Sequence, residues 1–215
     1  MTVQMAADDW LLQTAGEPAL RIYRWNEPSA TIGYFSKTEE CLPELRARSW
    51  TRRLTGGGVV LHDTDWTYAL VVPRSRLDRR MRLADWYEAL HRRLQRALDE
   101  PTRLQTNDGE GDAGWCFRRA VAHDLIDATG AKVAGAAIRS TREGLLVQGS
   151  IRTQAPIQWQ RLAASLGREL AGLQLDTSFW DHASSLAQSR YATHGWKNRS
   201  TPVNTSPKPT CEGPS

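Results

Sequence analysis

The sequence predicts an α+β domain, a mixed and mainly antiparallel sheet flanked by helices. Three observations predict it. Short β-branched or aromatic runs at residues 20–26, 29–35 and 59–73 are punctuated by Gly, Pro and Asp turns, as in antiparallel sheets. Residues 81–100 place Leu83, Trp86, Leu90, Leu94 and Leu98 at helical spacing on one face. Strands and helices do not alternate as βαβ units, which argues against a doubly wound parallel sheet.

In chain order, "MAADDWLLQTAG" (5–16) reads as a helix ending near Gly16. "LRIYRWN" (20–26) and "SATIGYF" (29–35) are strands joined through a Glu27-Pro28 turn. "VVLHDTDWTYALVVP" gives a strand, an Asp-rich turn and a second strand. "LQTNDGEGDAG" (104–114) is a loop by composition. "AHDLIDATGAKVAGAAIRSTREGLLVQGSI" predicts a β-meander turning at Thr129-Gly130 and near Glu143-Gly144. Further helices are expected within 157–173 and 181–190, and the Ser/Thr/Pro/Lys-rich stretch 198–215 is expected to be a disordered tail. Residues 1–197 then form one domain, without internal repeats.

The bulk numbers bound the class. In 215 residues, 40% hydrophobic content and nine tryptophans predict a packed globular core. No apolar run approaches the ~20 residues of a membrane span, and no secretory signal pattern opens the chain. Cys41, Cys116 and Cys211 are few and odd in number, so a reducing cytoplasm is expected and no disulfide framework. The formal charge of +4 is uneven: Arg74, Arg76, Arg79, Arg80 and Arg82 precede Arg92, Arg93 and Arg96. Such a run is a solvated helix face or a docking surface for an acidic partner. No zinc-finger, RNP or basic-zipper pattern points to nucleic acid, and no Cys/His set has zinc-site spacing.

One stretch calls for chemistry. In "RRLTGGGVV" (52–60), three glycines follow two arginines. The loop is either a flexible turn, or a bare-backbone cradle for a bound group with Arg52 and Arg53 supplying charge. The order "MAADDWLL", "LRIYRWNEPSATIGYF", "RRLTGGGVVLHD", "WCF", "GAKVAGAAIR", "LLVQGSI" and "SRYATHGWKNRS" resembles the catalytic domain of lipoate–protein ligases and lipoyl/octanoyl transferases, within the biotin/lipoate ligase superfamily. The resemblance covers roughly residues 5–151 and 185–199. It implies a mixed sheet around a tunnel for a medium-length acyl chain. It also implies modification of one lysine on an acceptor such as the glycine-cleavage H protein or a lipoyl domain of a 2-oxoacid dehydrogenase.

By the same resemblance, the glycine loop lies along the acyl carboxyl end and Lys132 reaches the same carbonyl. Cys116 of "GWCFRRA" matches the acyl-accepting cysteine of single-domain octanoyltransferases, which take the acyl group from acyl carrier protein without a nucleotide. Taken alone, a cysteine between Trp115 and Phe117 is as readily a buried hydrophobe. The chain is also too short for the C-terminal accessory domain of two-domain ligases. The expected catalytic pair is Cys116 and Lys132, with a substrate-binding set of Arg52, Arg53, Gly56, Gly57, Gly58, His62, Asp124 and Gly135. His62-Asp63 and His123-Asp124 are not expected to act as His–Asp pairs, because adjacent strand residues face opposite sides. Ser36, Ala120, Ile138, Ser140 and Gln148 depart from the family pattern, each removing a polar group or a proline that relatives carry. Two alternatives therefore stay open: an ATP- and Mg-dependent lipoate–protein ligase, and a non-catalytic relative that binds acyl chains or lipoyl domains.

Overall fold

A computed structural model describes residues 1–39, 45–46, 48–78, 80–111, 114–166 and 175–199. Cys41, Arg79, Cys211, residues 167–173 of one expected helix and 200–215 of the expected tail lie outside them. Helix α1 (Thr2–Thr14) leads into β1 (Ala19–Tyr23), β2 (Ser29–Ile32), β3 (Ser49–Arg52), β4 (Val60–His62) and β5 (Trp66–Pro73). Then come α2 (Leu83–Ala97), β6 (Arg103–Leu104), β7 (Leu125–Ile126), β8 (Lys132–Ser140) and β9 (Gly144–Ile151). The chain closes with α3 (Trp159–Ser165), α4 (Thr177–Leu186), a wide helical turn over Ala187–Tyr191, and α5 (His194–Lys197).

Two sheets result. The larger runs β1-β5-β9-β8-β7-β6, antiparallel throughout; the smaller runs β3-β2-β4, with β2 and β3 parallel. The expected mixed, mainly antiparallel α+β fold is what forms. The meander over β7–β9 and the helix over 83–97 also stand where the pattern put them.

Strands β5 and β9 are buried along nearly their whole length. Their side chains alternate between two cores. Tyr68, Leu70, Val72, Leu145 and Val147 pack with Leu90 and Leu94 of α2, whereas Ala69, Val71 and Leu146 pack with Leu11 and Leu12 of α1. A strand covered on both faces reads as a continuous apolar run, which explains "YALVVP".

The turns after β1 and β4 form where expected, and each carries the chain from one sheet to the other rather than closing a hairpin. The partner of β5 across the sheet is β9, with Trp66 opposite Ile151. Strand β3, four residues ending in arginine, was not expected, because so short a polar segment shows no period. Several arginines of this stretch are paired, Arg82 with Asp85 and Arg92 with Glu88 within α2 or its cap and Arg76 with Glu17 far back in the chain, while Arg93 donates to the Ser165 carbonyl.

His91 of α2 is fully buried, and neither ring nitrogen completes a side-chain hydrogen bond. Burial first, then the charge of nearby Lys132, lowers its pKa from 6.5 to about 3, with the His123 main chain acting weakly the other way. Below pH 6.5 the unfolded chain takes up a proton that the folded protein refuses. Stability should therefore fall as pH drops toward 3, by at most roughly 1.4 kcal/mol per pH unit from this group. His91→Leu is expected to flatten that limb in urea titrations at pH 7 and pH 5; equal pH slopes for the two proteins would refute it.

Candidate active site

The site is built from the glycine loop between β3 and β4 and the chain that touches it. A Cβ on Gly33 would stand 1.7 Å from the Gly57 carbonyl oxygen, so β2 can approach the loop only through glycine. Gly57 has φ of 83°, the left-handed region, and a Cβ there would lie 2.8 Å from Arg53 Nη2 and 3.5 Å from Cys116 Sγ. The bare loop is thus demanded partly by the protein itself.

Both arginines turn inward. Arg53 donates to the Gly56 and Gly58 carbonyls at 2.6 and 2.9 Å and to Thr31 O at 3.2 Å, and its Nη2 lies 3.9 Å from Cys116 Sγ. Burial lowers its pKa, and the Cys116 sulfur acts in the opposite sense. Arg52 is fully buried. Its guanidinium donates to the carbonyls of Gly33, Tyr34 and Ser36, to Thr38 Oγ1, and to the Trp196 and Lys197 carbonyls near the C-terminal end of α5. These donors hold the loop and its neighbours. Arg52, Gly56, Gly58 and Asp124 of the expected set do not line the cleft described next.

That cleft encloses about 520 Å³, mouth included, and brings together Cys116, Lys132, Arg53, Gly57, His62 and Gly135. Met5, Trp25, Phe117, Ala136 and Ala137 give it apolar wall. Cys116 is half-buried; its N–H donates to Val59 O at 2.9 Å, and the Val59 N–H to Gly114 O at 2.7 Å, laying the cysteine segment along the end of the glycine loop. Lys132 pairs with the fully buried Asp124 at 2.7 Å. Asp124 also accepts from the Val121 N–H at 2.7 Å and from the Tyr87 hydroxyl, which in turn accepts from the Ala136 N–H at 3.0 Å.

Gly135 makes this pair possible, because a Cβ there would meet Lys132 Nζ at 2.5 Å and Asp124 Oδ1 at 2.7 Å. The clash falls on the lysine head and also on the buried Asp124 carboxylate, which the Val121 N–H and the Tyr87 hydroxyl hold in place. Gly135→Ala is therefore expected to break the Lys132–Asp124 pair and to lower the melting temperature by several degrees; a melting temperature equal to wild type would refute this.

His62 forms no pair with Asp63, but it does form one with Asp65: Nδ1 lies 2.9 Å from Asp65 Oδ2 and Nε2 2.9 Å from Thr31 Oγ1. Asp63 instead pairs with Arg48. Asp65 also accepts from Thr67 at 3.2 Å and from Ser150 at 2.5 Å, and the ring stacks on Trp25 at 4.6 Å. Burial lowers the His62 pKa despite Asp65, which favours a neutral ring in the cleft wall. His123 takes φ of 71° and sits 3.8 Å from Glu88, away from Asp124's ion pair.

The departures also have places. Ser36 donates to the Gly57 carbonyl at 3.0 Å, and Gln148 bridges Thr55 Oγ1 (2.9 Å) and Asp8 (2.8 Å), tying the loop to α1. The Ala120 carbonyl accepts from Gly109 at 2.8 Å, Ile138 packs on the main core, and Ser140 is exposed opposite Leu145. Asp65, Ser150, Tyr87 and Trp25 were not expected at the site. Tyr87 borders the apolar stripe of α2 and reads as core; Asp65 hides in an Asp-rich turn. Among the described residues, no group of three His, Cys, Asp or Glu could hold a metal ion, and no helix is long and apolar enough to cross a membrane.

Similarity to known proteins agrees with this geometry. Octanoyltransferase LipM of Oceanobacillus iheyensis is 32% identical over 161 residues, covering 69% of this chain and 59% of that protein. LipM of Clostridioides difficile is 31% identical over 147 residues, covering 63% and 54%. The chain thus spans little more than half the length of these relatives. Among solved structures, protein Ta0514 of T. acidophilum with bound lipoic acid superposes with a TM-score of 0.71 at 20% identity, over 91% of this chain and 93% of that one. A lipoate-protein ligase A bound with ATP gives 0.68 at 19%, with the same coverage. These confirm the fold. The family described as "Lipoyl protein ligase A/B catalytic domain" matches residues 1–168, the span that holds the glycine loop, Cys116 and Lys132, and the chain belongs to that family.

Proposed function

We propose that this chain transfers an octanoyl or lipoyl group from a carrier-protein thioester, through Cys116, to a lysine of a lipoyl-dependent protein. The observation that carries the reading is the shared cleft: the Cys116 thiol, the Lys132 ammonium and the backbone of Gly57 face one cavity with apolar wall. The LipM relatives support the octanoyl group and the transferase class.

In this reading the Cys116 thiolate attacks the donor thioester carbonyl. The tetrahedral oxyanion forms beside the Lys132 ammonium and collapses by expelling the donor thiolate. Asp124 fixes the lysine head at 2.7 Å, so the charge stands ready without reorganisation. A neutral acceptor amine then attacks the acyl-enzyme and loses its proton, and Cys116 leaves as thiolate. Thioester exchange is nearly balanced and thioester to amide runs downhill, so the reaction needs no nucleotide. Donors of this reading are acyl carrier proteins, and acceptors are the glycine-cleavage H protein or lipoyl domains.

The ligase alternative would place an adenylate phosphate at the basic loop. The Gly56 and Gly58 carbonyls of the loop already take donors of Arg53, and main-chain carbonyls after β2 and near α5 take those of Arg52, which favours the transferase. The test is the intact mass of the protein mixed with octanoyl-acyl carrier protein in the absence of ATP. A gain of one octanoyl group, discharged by hydroxylamine, is expected. An adduct that appears only with ATP and lipoate would overturn the reading in favour of the ligase; binding without either adduct would favour a non-catalytic relative.

A further inference from the structure

We propose that Phe35, with the guanidinium groups of Arg139 and Arg199 around Tyr34, is the docking lip for the acceptor protein, and that the acceptor meets it with an acidic face. The inference rests on the lysine-acceptor reading above.

Phe35 is a large hydrophobic side chain left 64% exposed. The main chain on either side of it is held by hydrogen bonds. The Gly33 N–H donates to Gly58 O at 3.2 Å and the Tyr34 N–H to Thr55 O at 2.8 Å, while Arg52 holds the carbonyls of Gly33, Tyr34 and Ser36. Ser36 closes the spur onto Gly57, which lines the cleft. An exposed aromatic therefore stands on a main chain held against the glycine loop, whose Gly57 lines the acyl site. Rigid aromatics in such positions anchor protein interfaces, since little entropy is lost when they are covered.

Charge selects the partner. Phe35 meets Tyr34 edge-on at 4.9 Å. Arg139 lies 4.1 Å and Arg199 4.7 Å from the Tyr34 ring centre. Arg139 follows Ala137 by two residues on β8, so it extends the strand face that lines the cleft. Arg199 is exposed. An apolar knob flanked by two cations fits an apolar patch rimmed with carboxylates.

Reach decides between donor and acceptor. A lysine amine stands on a four-carbon stem, so the acceptor backbone must come to the mouth itself. A carrier-bound acyl group on a long thioester arm lets its protein stand farther off. The residues beside the mouth therefore belong to the acceptor.

The experiment uses Phe35→Ala and Arg199→Glu, both outside the cleft. Each protein is loaded from octanoyl-acyl carrier protein, then discharged either to an apo lipoyl domain or to hydroxylamine. KM for the lipoyl domain should rise about tenfold in each variant, with kcat, loading and hydroxylamine discharge unchanged. The Arg199→Glu defect should also shrink as salt increases. Unchanged KM in both variants, or a defect in loading rather than discharge, would overturn the proposal. Direct binding of the apo lipoyl domain to wild type and variants separates the two readings. If wild type never acylates but loses lipoyl-domain affinity on Phe35→Ala, the docking lip stands and the thioester route fails.

Discussion

If the proposed route holds, Cys116→Ser should form no hydroxylamine-labile octanoyl adduct, and octanoyl transfer to a lipoyl domain should fall at least roughly 10³-fold. The hydroxyl is far less acidic than the thiol, so it presents almost no anionic nucleophile to the thioester, and a serine ester is a poorer acyl donor to an amine. The substitution removes little packing, since the residue is half-buried and its main-chain bond to Val59 does not involve the side chain. The melting temperature should stay within a few degrees of wild type. That separation matters: loss of turnover with a preserved fold assigns the sulfur a chemical task. An ATP-dependent ligase with a structural cysteine would instead keep most of its activity in Cys116→Ser.

Arg52→Met should cost on the order of 3–5 kcal/mol of stability. One buried guanidinium bonds acceptors from three parts of the chain: the spur after β2, Thr38, and the carbonyls of Trp196 and Lys197. Removing it takes the guanidinium donors from all of these acceptors, leaving Gly33 O only the Ser36 N–H and Lys197 O only the Thr38 hydroxyl as donors among the described residues. The melting temperature should fall by roughly 10 °C or more. Arg52→Lys should rescue little, because an ammonium lacks the planar fork that spans these acceptors. A direct phosphate contact predicts the opposite pattern, an unchanged melting temperature with a raised donor KM, so calorimetry on the variant separates the two roles.

The glycine loop shows how far local sequence reaches. Its composition announced a close approach to the backbone, and the family pattern nominated Cys116 and Lys132. It did not announce that Gly33, more than twenty residues earlier, fills part of that space against Gly57, or that both arginines serve carbonyls. His62 was legible as a polar residue after the loop, but its partner was not. Adjacency ruled out Asp63 correctly, while Asp65 reaches the ring from the turn that switches sheets.

By itself the sequence determined most element types, the meander and the amphipathic helix over 83–97. Those follow from periodicity, turn residues and side-chain type, which act within a dozen residues. Only the tertiary structure decided which strands pair, that Arg52 is a buried clamp, that Asp124 and Tyr87 stand behind Lys132, and that Phe35 is left exposed on the spur after β2. Each of those depends on contacts between segments far apart in the chain, where geometry is set by packing and by the need to satisfy buried polar groups.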